Sequence, residues 1–244
     1  MVSVVMAGGA TTGHIAPLVA TAERLLELDP NVRITCIGTP RGLESRVIPA
    51  AGLTLELVPP VPLPRKPSVD LLSVPTRLAS AVSKAVRILK AVDADVVVGF
   101  GGYVSLPAYL AALRLKVPVV VHEQNALAGL ANKVAARFAK VVATSFPHTQ
   151  LRGARHIGLP VRKGIAILDR DAARVAAREA LGLRAEGPTL LVSGGSQGAV
   201  AINTAVDGAR DRLLAAGIDV LHVVGPKNMT ADLAPATAPT TGAR

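Results

Sequence analysis

The chain has 244 residues, is half apolar, and carries 27 Lys and Arg against 17 Asp and Glu, a net charge of +10. That length suits one large or two ordinary domains. No stretch is apolar enough to span a bilayer, since the best one, Tyr103 to Val121, is broken by Pro107, Arg114, Lys116 and Pro118. With no Trp, two Tyr and three Phe there are few platforms for base stacking, so the basic surplus points to phosphorylated substrates or anionic lipid before nucleic acid. A generic excess of Arg explains that charge equally well. The single cysteine, Cys36, permits no internal disulfide, which fits a reducing cytoplasm.

In chain order, short β-branched runs alternate with helical patterns. Met1 to Met6 lacks a basic leader and a cleavage site, and reads as a first strand instead of a signal peptide. The predicted strands are Val2–Met6, Val32–Ile37, Leu53–Val58, Asp95–Val98, Val117–Val121 and Lys140–Ala143. The helices between them are Ile15–Leu28, Arg41–Ala50, Pro75–Val92, Leu106–Leu115 and Leu130–Ala139. Strands without polar alternation, separated by helices, imply a parallel sheet covered on both faces, with ligands beyond its carboxyl edge. Near Gly158-Leu159-Pro160-Val161-Arg162 the pattern restarts: helix Asp171–Leu181, strand Thr189–Ser193, helix Ala199–Ala216, strand Val220–Val224. The expected division is residues 1–160 and an incomplete second domain over residues 161–244.

Three glycine-rich loops follow predicted strands: Gly8-Gly9-Ala10-Thr11-Thr12-Gly13-His14, Gly99-Phe100-Gly101-Gly102-Tyr103 and Ser193-Gly194-Gly195-Ser196-Gln197-Gly198. Bare backbone N–H groups at such bends bind phosphate, and three of them suggest a cleft for two phosphorylated substrates. The first loop has near-dinucleotide spacing, yet the second strand ends Gly38-Thr39-Pro40-Arg41 with no acid for a ribose, which weakens a nicotinamide reading and leaves an Arg41-based NADP variant open. His14 enters the following helix where a general base or phosphate donor would sit; a turn-capping histidine is the bland alternative. His122-Glu123-Gln124-Asn125 closes the fifth strand with four polar side chains, a binding or catalytic density or else a satisfied buried cluster. Asp93-Ala94-Asp95 lies at the amino end of its strand and reads as a solvated turn, and no spacing suggests a metal site. Leu78, Val82, Ala85, Val86 and Leu89 form one helical stripe opposite Arg77, Lys84, Arg87 and Lys90. With the preceding run Val58 to Lys66, this reads as a core face or as a dock for an anionic membrane surface.

The set GGATTGH, GFGGYVSLP, HEQNALAGLANK, GLPVR and GGSQGA, in this order, resembles the MurG family of bacterial peptidoglycan N-acetylglucosaminyltransferases. That resemblance implies an α/β fold of GT-B architecture, two Rossmann-like domains about a cleft. It implies inverting transfer of N-acetylglucosamine from UDP-N-acetylglucosamine to the muramyl C4 hydroxyl of lipid I (undecaprenyl-pyrophosphoryl-MurNAc-pentapeptide), giving lipid II, at the cytoplasmic face of the cell membrane, with no cofactor or metal. By the same resemblance Thr11, Thr12, Gly13 and Asn125 approach the donor sugar, and Arg162, Ser196 and Gln197 hold the UDP-sugar from the second domain. Gly101, Gly102 and Tyr103 line the acceptor diphosphate pocket, and His14 is the base with Glu123 as runner-up. The first loop departs from the family in Ala10 and Thr12. The family's later uracil- and ribose-reading motif has no counterpart before Arg244, so a truncated chain, weak or inactive alone, is expected. A UDP-N-acetylglucosamine 2-epimerase-like enzyme and a non-catalytic acceptor-binding module are the alternatives.

Overall fold

A computed structural model of the chain describes residues 1–9, 11–61, 73–195 and 197–228. By its internal contacts the chain divides into two units, Met1–Ile167 and Leu168–Arg244. The first unit runs β1 (Ser3–Ala7), α1 (Thr12–Leu28), β2 (Arg33–Gly38), α2 (Glu44–Ala50), β3 (Thr54–Leu57), α3 (Val74–Ala91), β4 (Val96–Gly99), α4 (Ser105–Leu115), β5 (Val119–Glu123), α5 (Leu130–Ala135), β6 (Val141–Thr144), β7 (Ala154–His156) and α6 (Lys163–Ala166). Its seven strands are all parallel, in the order β3-β2-β1-β4-β5-β6-β7.

The unbroken apolar strands are explained by burial on both faces. Along β1, Val5 and Ala7 join a cluster with Ala85, Ile88 and Leu89 of α3 and Ala108, Tyr109 and Ala112 of α4. The alternate residues Val4 and Met6 join Ile15, Leu18, Val19 and Ala22 of α1. The two-residue period of a strand thus sends side chains into two cores. The α3 stripe is a core face: Ala85 and Leu89 are buried, and Val82 and Val86 pack against them, while Arg77, Arg87 and Lys90 stay exposed. The expected Pro-rich approach to that helix lies outside the described residues from Pro62 onward.

Strand order reverses between β1 and β4, the neighbours at the sheet's centre. The helices that follow these two strands, α1 and α4, pack on opposite faces of the sheet, and ligands of such folds bind at this switch point, in the crevice beyond the strands' carboxyl ends. At the opposite edge, the Asp95 carboxylate accepts the Ser3 amide at 2.8 Å, and the Ser3 hydroxyl donates to the Val92 carbonyl at 2.7 Å. The Asp-Ala-Asp turn is therefore a clasp on the amino ends of β1 and β4. Two elements, β7 and α6, carry no sequence signal. The strand β5 runs on through His122 and Glu123, and α5 stops at Ala135, four residues short of expectation.

The second unit comprises α7 (Arg170–Ala180), β8 (Thr189–Ser193), α8 (Val200–Ala215) and β9 (Asp219–Val223). The strands β8 and β9 pair in parallel from Thr189 opposite Asp219 to Ser193 opposite Val223. Asp169 caps α7, accepting the Asp171 and Ala172 amides at 3.1 and 3.0 Å. Asp219 is buried at the start of β9 and accepts from Arg184 Nε at 2.9 Å, with the Arg178 guanidinium 3.7 Å away.

Candidate active site

The crevice at the β1–β4 reversal is built from the first two glycine loops. At Gly102, φ is +79°, and a side chain's Cβ would stand 2.7 Å from the Gly9 carbonyl oxygen. Both features demand glycine. At Gly101, φ is +85°, and a Cβ would lie 3.0 Å from Asn132 Nδ2 and 3.4 Å from the His14 ring. The second loop can thus lie directly on the first. Ser105 secures the contact from below, its hydroxyl 2.8 Å from the Ala7 carbonyl and 2.7 Å from that of Gly101.

His14 stands in the first turn of α1. Its Nδ1 is 3.0 Å from the Gly9 carbonyl oxygen and 3.0 Å from Thr11 Oγ1. A carbonyl only accepts, so Nδ1 carries the proton, and in the neutral ring the lone pair resides on Nε2. Nε2 has no partner among the described residues. Burial lowers the ring's pKa below its usual 6.5, against the opposing influence of the Gly9 hydrogen bond and the Glu123 charge. The histidine is therefore poised as an acceptor of protons at neutral pH. Thr11, Thr12 and Gly13 are exposed beside it, and the Thr12 and Gly13 amides have no acceptor among the described residues. Two N–H groups at the start of a 17-residue helix, without acceptors among the described residues, suit an anion or a polarised oxygen.

The next strand, β5, contributes Glu123, which is 1% exposed. One carboxylate oxygen accepts the Asn125 amide at 2.9 Å and its side-chain Nδ2 at 2.8 Å. The other accepts the Gly129 amide and Asn132 Nδ2, both at 2.9 Å. Four internal donors make Glu123 a fixed anchor for the loop that presents Asn125, whose residue is exposed. His122 is buried: Nε2–H donates to the Gly158 carbonyl at 3.0 Å, and Nδ1 accepts from Gln124 Nε2 at 2.9 Å. Burial lowers its pKa as well, and both nitrogens are used inside the protein. Tyr103 is half-buried and packs on the α3–α4 core.

The remaining candidates lie elsewhere. Arg162 belongs to the first unit by contact and pairs with Glu23 of α1 at 3.1 Å. Gln197 is exposed in the second unit, and Ser196 lies outside the described residues. Two glycines shape that third loop. A Cβ at Gly198 would fall 1.9 Å from the Val224 carbonyl oxygen, and one at Gly225 would fall 2.1 Å from that of Gln197. The loop is thereby pressed against the end of β9.

Three residues of the crevice escaped the sequence reading. Glu44, at the start of α2, is fully buried and accepts the Thr39 amide at 3.0 Å and hydroxyl at 2.7 Å. A Cβ at Gly9 would lie 2.8 Å from its carboxyl group, so the acid missing from the end of β2 arrives from the next helix, packed under the first loop. Asn132 and Tyr109 are the others. A helical tyrosine reads as core, and only its hydroxyl's need for a partner signals more.

Residues 4–144 match the glycosyltransferase family 28 N-terminal domain. The UDP-N-acetylglucosamine--N-acetylmuramyl-(pentapeptide) pyrophosphoryl-undecaprenol N-acetylglucosamine transferase of Cutibacterium acnes is 62% identical over 235 residues, covering 94% of this chain and 63% of that protein. The crystal structure of Acinetobacter baumannii MurG is similar with a TM-score of 0.60 at 27% identity, covering 91% of this chain and 66% of that one. The UDP-GlcNAc 2-epimerase of Methanocaldococcus jannaschii reaches a TM-score of 0.57 at 11% identity over 93% of this chain and 66% of its own, a likeness of fold alone. The chain spans about three fifths of the length of the curated relatives it matches.

Proposed function

The chain belongs to glycosyltransferase family 28, and from that premise we propose that its protein transfers N-acetylglucosamine from UDP-N-acetylglucosamine to the muramyl C4 hydroxyl of undecaprenyl-pyrophosphoryl-MurNAc-pentapeptide. The observation that carries this reading is His14. Its proton is committed to the Gly9 carbonyl, and its free lone pair stands between two bare-amide loops. Proximity of a neutral imidazole to a bound hydroxyl supplies general-base catalysis.

In this reading Gly101, Gly102 and Tyr103 receive the acceptor's diphosphate, and the muramyl hydroxyl comes to His14. As the hydroxyl oxygen bonds to the sugar's anomeric carbon, its proton passes to Nε2. The bond from that carbon to the UDP oxygen breaks on the opposite face, its electron pair leaving with UDP, so the configuration inverts. Thr11, Thr12 and Gly13, at the positive end of α1, hold donor-sugar oxygens. Asn125 holds the sugar through its amide, and Glu123 keeps Asn125 in place. We assign Arg162, Ser196 and Gln197 to the donor's phosphates and sugar, where their charge and N–H groups meet the leaving group.

The product of such a reaction is lipid-linked, so the protein works as a peripheral enzyme on the inner leaflet. Among the described residues no helix is long and apolar enough to cross a membrane. The exposed Arg77, Arg87 and Lys90 of α3 supply a basic face for anionic headgroups.

The full-length protein, given UDP-[14C]N-acetylglucosamine and a short-chain analogue of the acceptor in anionic vesicles, is expected to move label into the lipid fraction. Label remaining in the water phase as the 2-epimer of the donor would contradict the reading, as would no turnover at all.

A further inference from the structure

Tyr109 is fully buried in α4, its ring laid across Gly99. A Cβ at Gly99 would fall 2.1 Å from ring carbon Cε1, so the last residue of β4 is glycine because this ring occupies the place of its side chain. The phenol donates to Asn132 Oδ1 at 2.8 Å. Burial drives its pKa far above the usual 10, so it remains protonated at every pH the fold meets.

The direction of the hydrogen bonds is determined. Glu123 accepts, so the Asn132 end facing it at 2.9 Å is the amino group. The amide oxygen then faces Tyr109, and the phenol has to donate. The order is Tyr109 O–H to Asn132, Asn132 N–H to Glu123, and Glu123 to the two N–H donors of Asn125. Asn132 is 0% exposed, so no solvent can replace a lost partner. A buried amide deprived of its donor either keeps an unsatisfied oxygen or rotates and turns that oxygen on the carboxylate.

We propose that Tyr109 is a positioning residue whose phenol, through Asn132, fixes the Glu123 carboxylate and with it the Asn125 loop. The effect on the reaction rests on the reading of Asn125 as a donor-sugar contact; the effect on the loop does not.

Tyr109→Phe keeps the ring and removes the hydroxyl. In hydrogen exchange on the 244-residue chain, the Asn125 and Gly129 amides, which donate to Glu123, are expected to exchange about tenfold faster, with the β1 and β4 amides unchanged. In the full-length enzyme KM for UDP-N-acetylglucosamine should rise about tenfold with kcat held within about threefold, the mark of lost binding instead of lost chemistry. Unchanged exchange at Asn125 and Gly129 overturns the proposal. So does equal loss of protection across the strands, which would make Tyr109 a plain core residue. Faster exchange at the two amides in a protein that binds no UDP-sugar upholds the relay and overturns the functional reading alone.

Discussion

At the scale of single residues, the crevice depends on atoms that are absent. Gly102 adopts φ +79° and leaves 2.7 Å between a would-be Cβ and the Gly9 carbonyl oxygen, while Gly52 has φ +73° with nothing near it. The pair separates backbone strain from steric contact. Gly52→Ala is expected to lower the unfolding free energy by about 1–2 kcal/mol, the cost of the left-handed conformation. Gly102→Ala should cost that amount and about 1–3 kcal/mol more, and should push the Gly9 carbonyl off His14. Urea unfolding of the two variants checks the energies, and the His14 ring nitrogen shifts check the geometry. Equal energies for both would mean that the loops are not in contact. His14 itself was legible as a candidate from its place after a strand and a glycine run. Glu44 was not, because nothing in Gly42-Leu43-Glu44 announces that a carboxylate will fold back beneath Gly9 and Gly38. Glu123 was legible as a polar residue at a strand end, but its four donors come from residues up to nine positions away in sequence.

At the scale of elements, apolar runs such as Val96 to Val98 and Val119 to Val121 announce buried parallel strands, and the seven-stranded sheet contains every strand expected of the first half. Periodicity failed for β7, whose Ala154-Arg155-His156 has no β-branched residue and owes its conformation to pairing with β6. The expected boundaries differ from the observed ones because hydrogen bonding, not hydropathy, ends an element: β5 continues to Glu123 since β6 offers Thr144 opposite it. In the second unit, α7, β9 and the loop that carries Arg184 are held through one side chain. Asp219 of β9 accepts from the Arg184 Nε and amide, at 2.9 and 3.2 Å, and faces Arg178 of α7. Asp219→Ala leaves two guanidinium groups in a mostly buried site without their counter-charge. Breaking such a buried pair costs about 3–5 kcal/mol. Protection of the β8 and β9 amides in hydrogen exchange should collapse in this variant while β1 and β4 keep theirs. Full protection in β9 would show that the cluster adds nothing to the unit.

At the scale of the whole molecule, the sequence carries the architecture through its strand order. With β1 paired to both β2 and β4, the first two glycine loops meet at the sheet's switch point, and His14 stands against both. Motif order alone indicated the family; the tautomer of His14 required coordinates. The proposed sugar transfer turns on that imidazole acting as the base. Its pKa is held below 6.5 by burial, so Nε2 is unprotonated at neutral pH, and the rate should fall only as acid protonates it. The deciding measurement is the pH dependence of kcat/KM for the full-length protein beside His14→Ala. The wild type is expected to show an acid limb below pH 6.5, and the variant a rate about 10²–10⁴-fold lower without that limb. A variant that turns over at the wild-type rate, or that keeps the same acid limb, would contradict the role of His14 as the base.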